Sequence, residues 1–207
     1  MGGSRQGALA GSFPLRLRLL RGTEASSLVE FAVALPLLVV LVVGIFDFGA
    51  AFNLKQELSN AAREGARFGA STPTNDLSLA TTPPSVDAIR FLVDDYLKAA
   101  KINDCGLGTL ASATATTGAT TPPYTIWTYS STSPANGCPG TFSLAITREL
   151  TVPITIGGFS ANLTCTQVII NYPYQWHFNN VIQLIVPGAT YASITNIPVG
   201  SVVGNTD

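Results

Sequence analysis

Hydrophobic residues gather into one long run near the start of the chain, Leu28 to Phe52, reading LVEFAVALPLLVVLVVGIFDFGAAF. Its middle, Phe31 to Phe46, carries no charge. Apolar helical segments of about 20 residues match the hydrocarbon thickness of a bilayer. Glu30 and Asp47 stand at the two ends, away from the midplane, where a lone carboxylate is most costly. The pattern predicts one membrane-spanning helix that begins at Ser26 or Ser27 and continues to about Gly69. Pro36 falls one to two turns in, where a kink can be accommodated. After Phe52 the pattern changes to NLKQELSNAAREGARFGA. Here Leu54, Leu58, Ala61, Ala62, Gly65 and Phe68 share one helical stripe. Lys55, Gln56, Asn60, Arg63, Glu64 and Arg67 lie largely elsewhere. The helix is thus expected to leave the bilayer as an amphipathic stem. Its stripe needs a partner, either the chain's own C-terminal domain or another subunit, and Ala61 and Gly65 permit a close approach.

Ser71 to Pro84, rich in Thr, Pro and Ser, reads as a linker. A second amphipathic helix is predicted over Ser85 to Lys101. Val86, Ile89, Arg90, Val93 and Leu97 fall at helical spacing on one side, with Asp94, Asp95 and Lys98 on the wetter side. Gly106 to Thr121 is a low-complexity stretch expected to be an exposed loop. Strand-forming composition then takes over at 125–129, 141–150, 152–156, 166–176 and 192–199. Asn136-Gly137 and Gly157-Gly158 are turn signals. Val181–Val186 is too short to span a bilayer and reads as core or a short helix. The expected fold class is α+β. A long transmembrane helix with an amphipathic stem precedes a small extracytoplasmic domain, in which one helix packs on an antiparallel sheet. The expected divisions are 1–25 (basic leader), 26–70 (span and stem) and 71–207.

Charge gives the expected orientation. Only 11% of the 207 residues are charged, against about 25% in typical soluble domains. Arg5, Arg16, Arg18 and Arg21 precede the run, against the single acid Glu24. This excess of arginine places the N-terminus in the cytoplasm and the C-terminal region outside an inner (plasma) membrane. Cys105, Cys138 and Cys165 all fall on the outer side, where a disulfide can persist. The odd count leaves one thiol unpaired within the chain. Cys105–Cys138 is the expected bridge: it would close the Thr-rich loop, and Cys138 follows the Asn-Gly turn. Three unpaired small hydrophobes is the bland reading.

Candidate chemistry is sparse. His177 is the only histidine, set among aromatics in NYPYQWHFNN, a setting that suits a structural or solvent-edge role. Asp94 and Asp95 point to different sides of their helix, and no nucleophile–base set stands out. There is neither a glycine-rich phosphate loop nor a CxxC pair. No cofactor, metal or nucleic-acid partner is expected, and no enzymatic activity. Rival readings are a signal-anchored or secreted surface protein of adhesin type, or an extracytoplasmic enzyme. A secreted form is disfavoured because the run exceeds the roughly 7–15 residues of a signal-peptide core.

Three features in order carry a resemblance to a known family. They are Val-Glu-Phe-Ala with proline six residues after the glutamate, an acid-Phe-Gly close at 47–49, and NAAREGARFGA at 60–70. Together, over about residues 22–70, the chain resembles the TadE-like family of bacterial pilus-assembly proteins. The resemblance implies a minor pseudopilin-like component of a tight-adherence (Flp-type) pilus, anchored in the inner membrane. Its implied partners are the lipid bilayer, pilin-like subunits, the inner-membrane assembly platform and a prepilin peptidase. In such precursors a small residue precedes the cut and a Glu stands at mature position five. A cut after Gly22 places Glu30 at position eight, and one after Ala25 places it at position five. Use without cleavage is the third option. Glu30 is the candidate for pairing with a free amine on a neighbouring subunit, with a helix-capping interfacial acid as the simpler alternative. Asp47 is a candidate subunit contact, or an interfacial acid.

Overall fold

The computed structural model describes residues 23–78, 81–118, 123–132, 136–178 and 194–206. It divides into two compact units, Met1–Val39 and Val40–Asp207. In the first, the described residues are helical and the side chains from Ser26 onward are exposed. They form the start of α1, Thr23–Ala70, a helix long and apolar enough to cross a membrane. Pro36 lies inside it without ending it.

The second unit contains the rest of α1, a second helix α2 (Pro84–Ala99) and a five-stranded antiparallel sheet. The strands are β1 (Thr114–Thr117), β2 (Thr125–Ser131), β3 (Phe142–Ile156), β4 (Phe159–Gln175) and β5 (Ile194–Gly204). Their spatial order equals their chain order, an open meander. Alternation explains which side is buried. Phe142, Leu144 and Ile146 of β3 turn to one face, as do Val168, Ile170, Tyr172 and Tyr174 of β4. The register places Leu144 opposite Ile170 and Ile146 opposite Val168. Onto this face pack Val86, Ile89, Val93 and Leu97 of α2 together with Leu58, Ala61, Ala62 and Ala66 of α1. Of the two partners that the stem stripe could have taken, the structure supplies the chain's own sheet and second helix.

Several elements differ from the sequence pattern. The segments 141–150 and 152–156 are one strand, carried past Leu150 by a register shift between Thr147 and Leu150. Gly106–Thr121 is not simply a loop. Leu107 is fully buried in the core, and Thr114–Thr117 form an exposed edge strand. Threonine suits an edge strand, being β-branched yet content to face water. Asp94, expected on the wetter side of α2, is buried and accepts a 2.6 Å hydrogen bond from Lys98 Nζ. Burial pushes the Asp94 carboxyl up, partly offset by Lys98. Val181–Val186 lies outside the described residues.

The helix ends are closed by side chains far away in sequence. Pro83 and Pro84 begin α2 and cannot cap it, so Asp76 accepts from the Ser85 backbone N–H at 2.7 Å and from its hydroxyl at 3.0 Å. Arg148, buried on β3, donates from Nη2 to the carbonyls of Gly69 (2.7 Å) and Thr72 (2.6 Å). A cation at a helix C-terminus also complements the helix dipole. Arg90 is buried on α2 and is held in a similar way, by Asp87 and by the carbonyls of Leu107 and Gly108. It thereby holds the loop that carries Cys105 and Leu107.

Beyond the five-stranded region, β3 and β4 continue as a two-stranded ribbon. Its pairs run from Thr151–Thr164 to Ile156–Phe159, since β5 ends opposite Cys165. Gly157 and Gly158 make the turn with φ of 59° and 86°, as a two-residue loop with both central φ positive demands.

Candidate functional site

The site with the densest polar geometry surrounds Asp47, where the apolar run of α1 gives way to the stem. Asp47 is buried, 5% exposed, inside a stretch of helix whose other side chains are mostly open. A buried carboxylate is tolerable only if its oxygens are hydrogen-bonded, and the end of β4 supplies the donors. Tyr174 Oη donates to Oδ1 at 2.9 Å and the Phe178 backbone N–H donates to Oδ2 at 2.8 Å. His177 Nδ1 lies 3.3 Å from Oδ1, with its ring mostly exposed. Tyr174 Oη also reaches the Asp47 carbonyl at 3.2 Å. The Tyr174 phenol is pushed up to about 12, chiefly by burial and secondly by the Asp47 carboxylate it serves.

Aromatic rings continue outward from this lock. Tyr174 meets Trp176 edge-on at 5.0 Å between centroids, and Trp176 meets Phe48 at 5.2 Å. The indole N–H is occupied by Thr195 Oγ1 of β5 at 2.8 Å. The Phe178 ring rests beside Gly44, 3.7 Å from where a Cβ there would stand, an ordinary contact distance.

The stem is the second constituent. Ala61 is fully buried. A Cβ at Gly65 would stand 3.1 Å from Val93 and 3.4 Å from Ile89, and one at Gly69 would stand 2.6 Å from Thr166 and 2.8 Å from Ile89. Small residues at these positions thus bring α1 onto α2 and β4 of the same chain. The exposed face of the stem carries Asn60, Arg63, Glu64 and Arg67. Tyr96 of α2 donates to Glu57 at 3.3 Å, tying the two helices at their edge.

Other expected residues stand apart. Glu30 is exposed on α1, where it accepts a hydrogen bond from Ser26 Oγ at 3.4 Å. Gly22 lies outside the described residues; Ala25 lies within the first turn of α1. Cys105 and Cys138 form a disulfide that joins the segment after α2 to the segment before β3. Cys165 is a buried free thiol, and burial pushes its pKa up. Among the described residues, no group of three or more His, Cys, Asp or Glu side chains comes together as a metal site.

The sequence singled out Asp47 and, separately, His177 as a structural or solvent-edge residue, but did not join them or mark Tyr174 and Phe178; all three partners lie more than a hundred residues from Asp47. The usable signal was slight: an acid inside an apolar run and an aromatic cluster holding the only histidine. The carbonyl-binding role of Arg148 left no sequence signal.

Comparison with known proteins bears on the N-terminal region alone. No curated protein and no solved structure matches the chain. The family model described as TadE-like protein matches residues 25–67, which span the apolar run, Asp47 and most of the stem.

Proposed function

We propose that this protein is a single-pass, membrane-anchored component of tight-adherence (Flp-type) pilus assembly that acts by protein–protein association. The observation that carries this reading is the TadE-like match over residues 25–67, coinciding with a helix of membrane-spanning length. The N-terminus is cytoplasmic, following the arginine excess before Leu28. The C-terminal domain lies outside, which the Cys105–Cys138 disulfide supports, since such bonds persist in oxidising compartments. Glu30 is the assembly contact, pairing with an amine on a pilin-like neighbour or platform protein. Processing by a prepilin peptidase after Ala25 would place Glu30 at mature position five. Ala61 and Gly65 serve assembly indirectly, by fixing the C-terminal domain on the stem. Asp47 does so by locking the end of β4 to the helix.

Detergent co-purification from the native host tests this. The tagged wild-type protein should recover small pilin-like proteins and an assembly ATPase complex. Glu30→Gln should insert into the membrane equally well, because it removes a desolvation cost, yet recover fewer partners. If the wild type recovers none, the assembly reading fails.

A further inference from the structure

We infer that the end of the sheet nearest Asp47, carried by Trp176 and Phe48, is a lipid-binding surface seated in the headgroup region of the bilayer. The inference deepens the anchored reading above and rests on α1 spanning the membrane. On α1, Leu41, Ile45, Phe48 and Phe52 follow one another at helical spacing and are 59%, 64%, 70% and 64% exposed. The stripe is the direct continuation of the apolar run, and it does not stop at Asp47. It passes beside Trp176, whose ring lies against Phe48. A covering layer for the run therefore also covers this patch.

Depth decides which part of the bilayer that is. From Leu28 to Phe46 there are 19 residues, about 28 Å of helix at the standard rise, close to the ~30 Å hydrocarbon core. The hydrocarbon boundary then falls at Phe46 or Asp47. Phe48 and Phe52 stand within about 8 Å beyond it, at the level where tryptophan and tyrosine collect in membrane proteins.

The Asp47 lock fits the same placement. Asp47 is the single acidic or basic residue between Glu30 and Lys55, and a bare carboxylate there would oppose lipid contact. Instead its oxygens are sealed by Tyr174, the Phe178 N–H and His177. The indole N–H of Trp176 is likewise satisfied within the chain. The face left outward carries the exposed Phe48 and Phe52 beside the half-buried Trp176, with the exposed His177, Gln175 and Asn53 as polar chain neighbours. Burying such a surface in protein would need an apolar partner surface, whereas the bilayer interface is already continuous with it.

Tryptophan fluorescence of the full chain in phosphatidylcholine vesicles tests the assignment. The chain has two tryptophans, and Trp127 is in the core, so Trp127→Phe leaves Trp176 as the reporter. Lipids brominated near the headgroup end of the acyl chain should quench it roughly twofold more than lipids brominated near the methyl end. Because Trp127→Phe disturbs the core, a second pair guards the result. Wild type minus Trp176→Phe should give the same difference. Val39→Trp, placed in a chain lacking both native tryptophans, reports on the span and should be quenched most by the deep label. If Val39→Trp is quenched and Trp176 is not, the interfacial assignment is overturned, the span stands, and the face belongs to another protein subunit. Deep quenching of Trp176 also overturns it. If neither reporter is quenched, the anchored reading fails with it.

Discussion

Asp47 and Tyr174 form a pair in which each residue explains the other's burial. The carboxylate needs donors in a place where water is scarce, and the phenol needs an acceptor when its ring is folded inward. Tyr174→Phe keeps the ring and removes the donor. The expected loss is ~1.5–3 kcal/mol, the range for hydrogen bonds to charged groups, read from unfolding in detergent by near-ultraviolet circular dichroism. Alkaline titration checks the same contact. The folded pKa is raised to about 12, above the ordinary tyrosine value of ~10. This contribution is therefore complete below the ordinary value and is lost as pH rises through the folded one. Absorbance of the phenolate should show a late-titrating tyrosine near that upper value, and Tyr174→Phe should remove it. Burial also raises Tyr172 and Tyr129, so the variant should keep other late-titrating tyrosines. The acid was conspicuous in the sequence because it interrupted an apolar run. Its partners were not, because pairing across the fold leaves no spacing to count.

Small residues on the stem show the same division between what a pattern implies and what it withholds. Their helical spacing announced a close approach, but not which surface approached. The structure gives Ile89, Val93, Val168 and Thr166 of the same chain. A Cβ at Gly69 would be closer to its neighbours than one at Gly65. Gly69→Ala is therefore expected to destabilise the fold by ~1–3 kcal/mol, as overpacking does. Gly65→Ala should cost less, since its nearest neighbour is a Val93 methyl at 3.1 Å. Thermal unfolding of the two variants side by side decides the order.

At the scale of elements, the two helices and four of the five strands were legible from periodicity and β-branched composition. Their limits were less so. The composition divided one strand into 141–150 and 152–156, but a register shift between Thr147 and Leu150 absorbs the irregularity and β3 continues to Ile156. β1 was missed because TATT offers no apolar face: it is an edge strand held by its ladder to β2, with every side chain exposed. Leu107 was hidden in a low-complexity stretch and is drawn into the core beside the disulfide. That disulfide closes a separation of 33 residues, enclosing β1 and β2. The chain-entropy treatment assigns such a loop ~3.5–4 kcal/mol. Replacing both Cys105 and Cys138 by Ser should lower the melting temperature by roughly 7–15 °C for a domain of this size. Cys165→Ser should leave the Cys105–Cys138 bond in place, as peptide mapping under non-reducing conditions would show.

For the whole molecule, the division of labour follows from where the chain spends its charge. The apolar run holds few polar groups and turns Asp47, the acid at its far end, inward; the stem buries alanine and glycine; the sheet presents threonine, serine and asparagine. Such a distribution suits the membrane-anchored, associating role proposed above. The arginine excess before Leu28 predicts a cytoplasmic N-terminus, and protease added to intact spheroplasts tests it. Cleavage should enter at exposed positions in the segment after α1, such as Ser71, Pro73 and Asn75. An N-terminal tag should survive on a short membrane-bound fragment. The disulfide would hold some cleaved pieces together, so the digest must be read after reduction. Complete protection of the C-terminal region, reversed on lysing the spheroplasts, would put the domain in the cytoplasm and overturn the orientation. The mass of the tag-free mature protein then separates the remaining histories. Loss of the residues up to Gly22 or Ala25 means prepilin-type processing, loss of about 50 residues means secretion after signal cleavage, and the full mass means a plain signal anchor. Only the first of these gives Glu30 the neighbourhood of a new N-terminal amine on its own chain type. That outcome would join the leader, the glutamate and the stem into one assembly device.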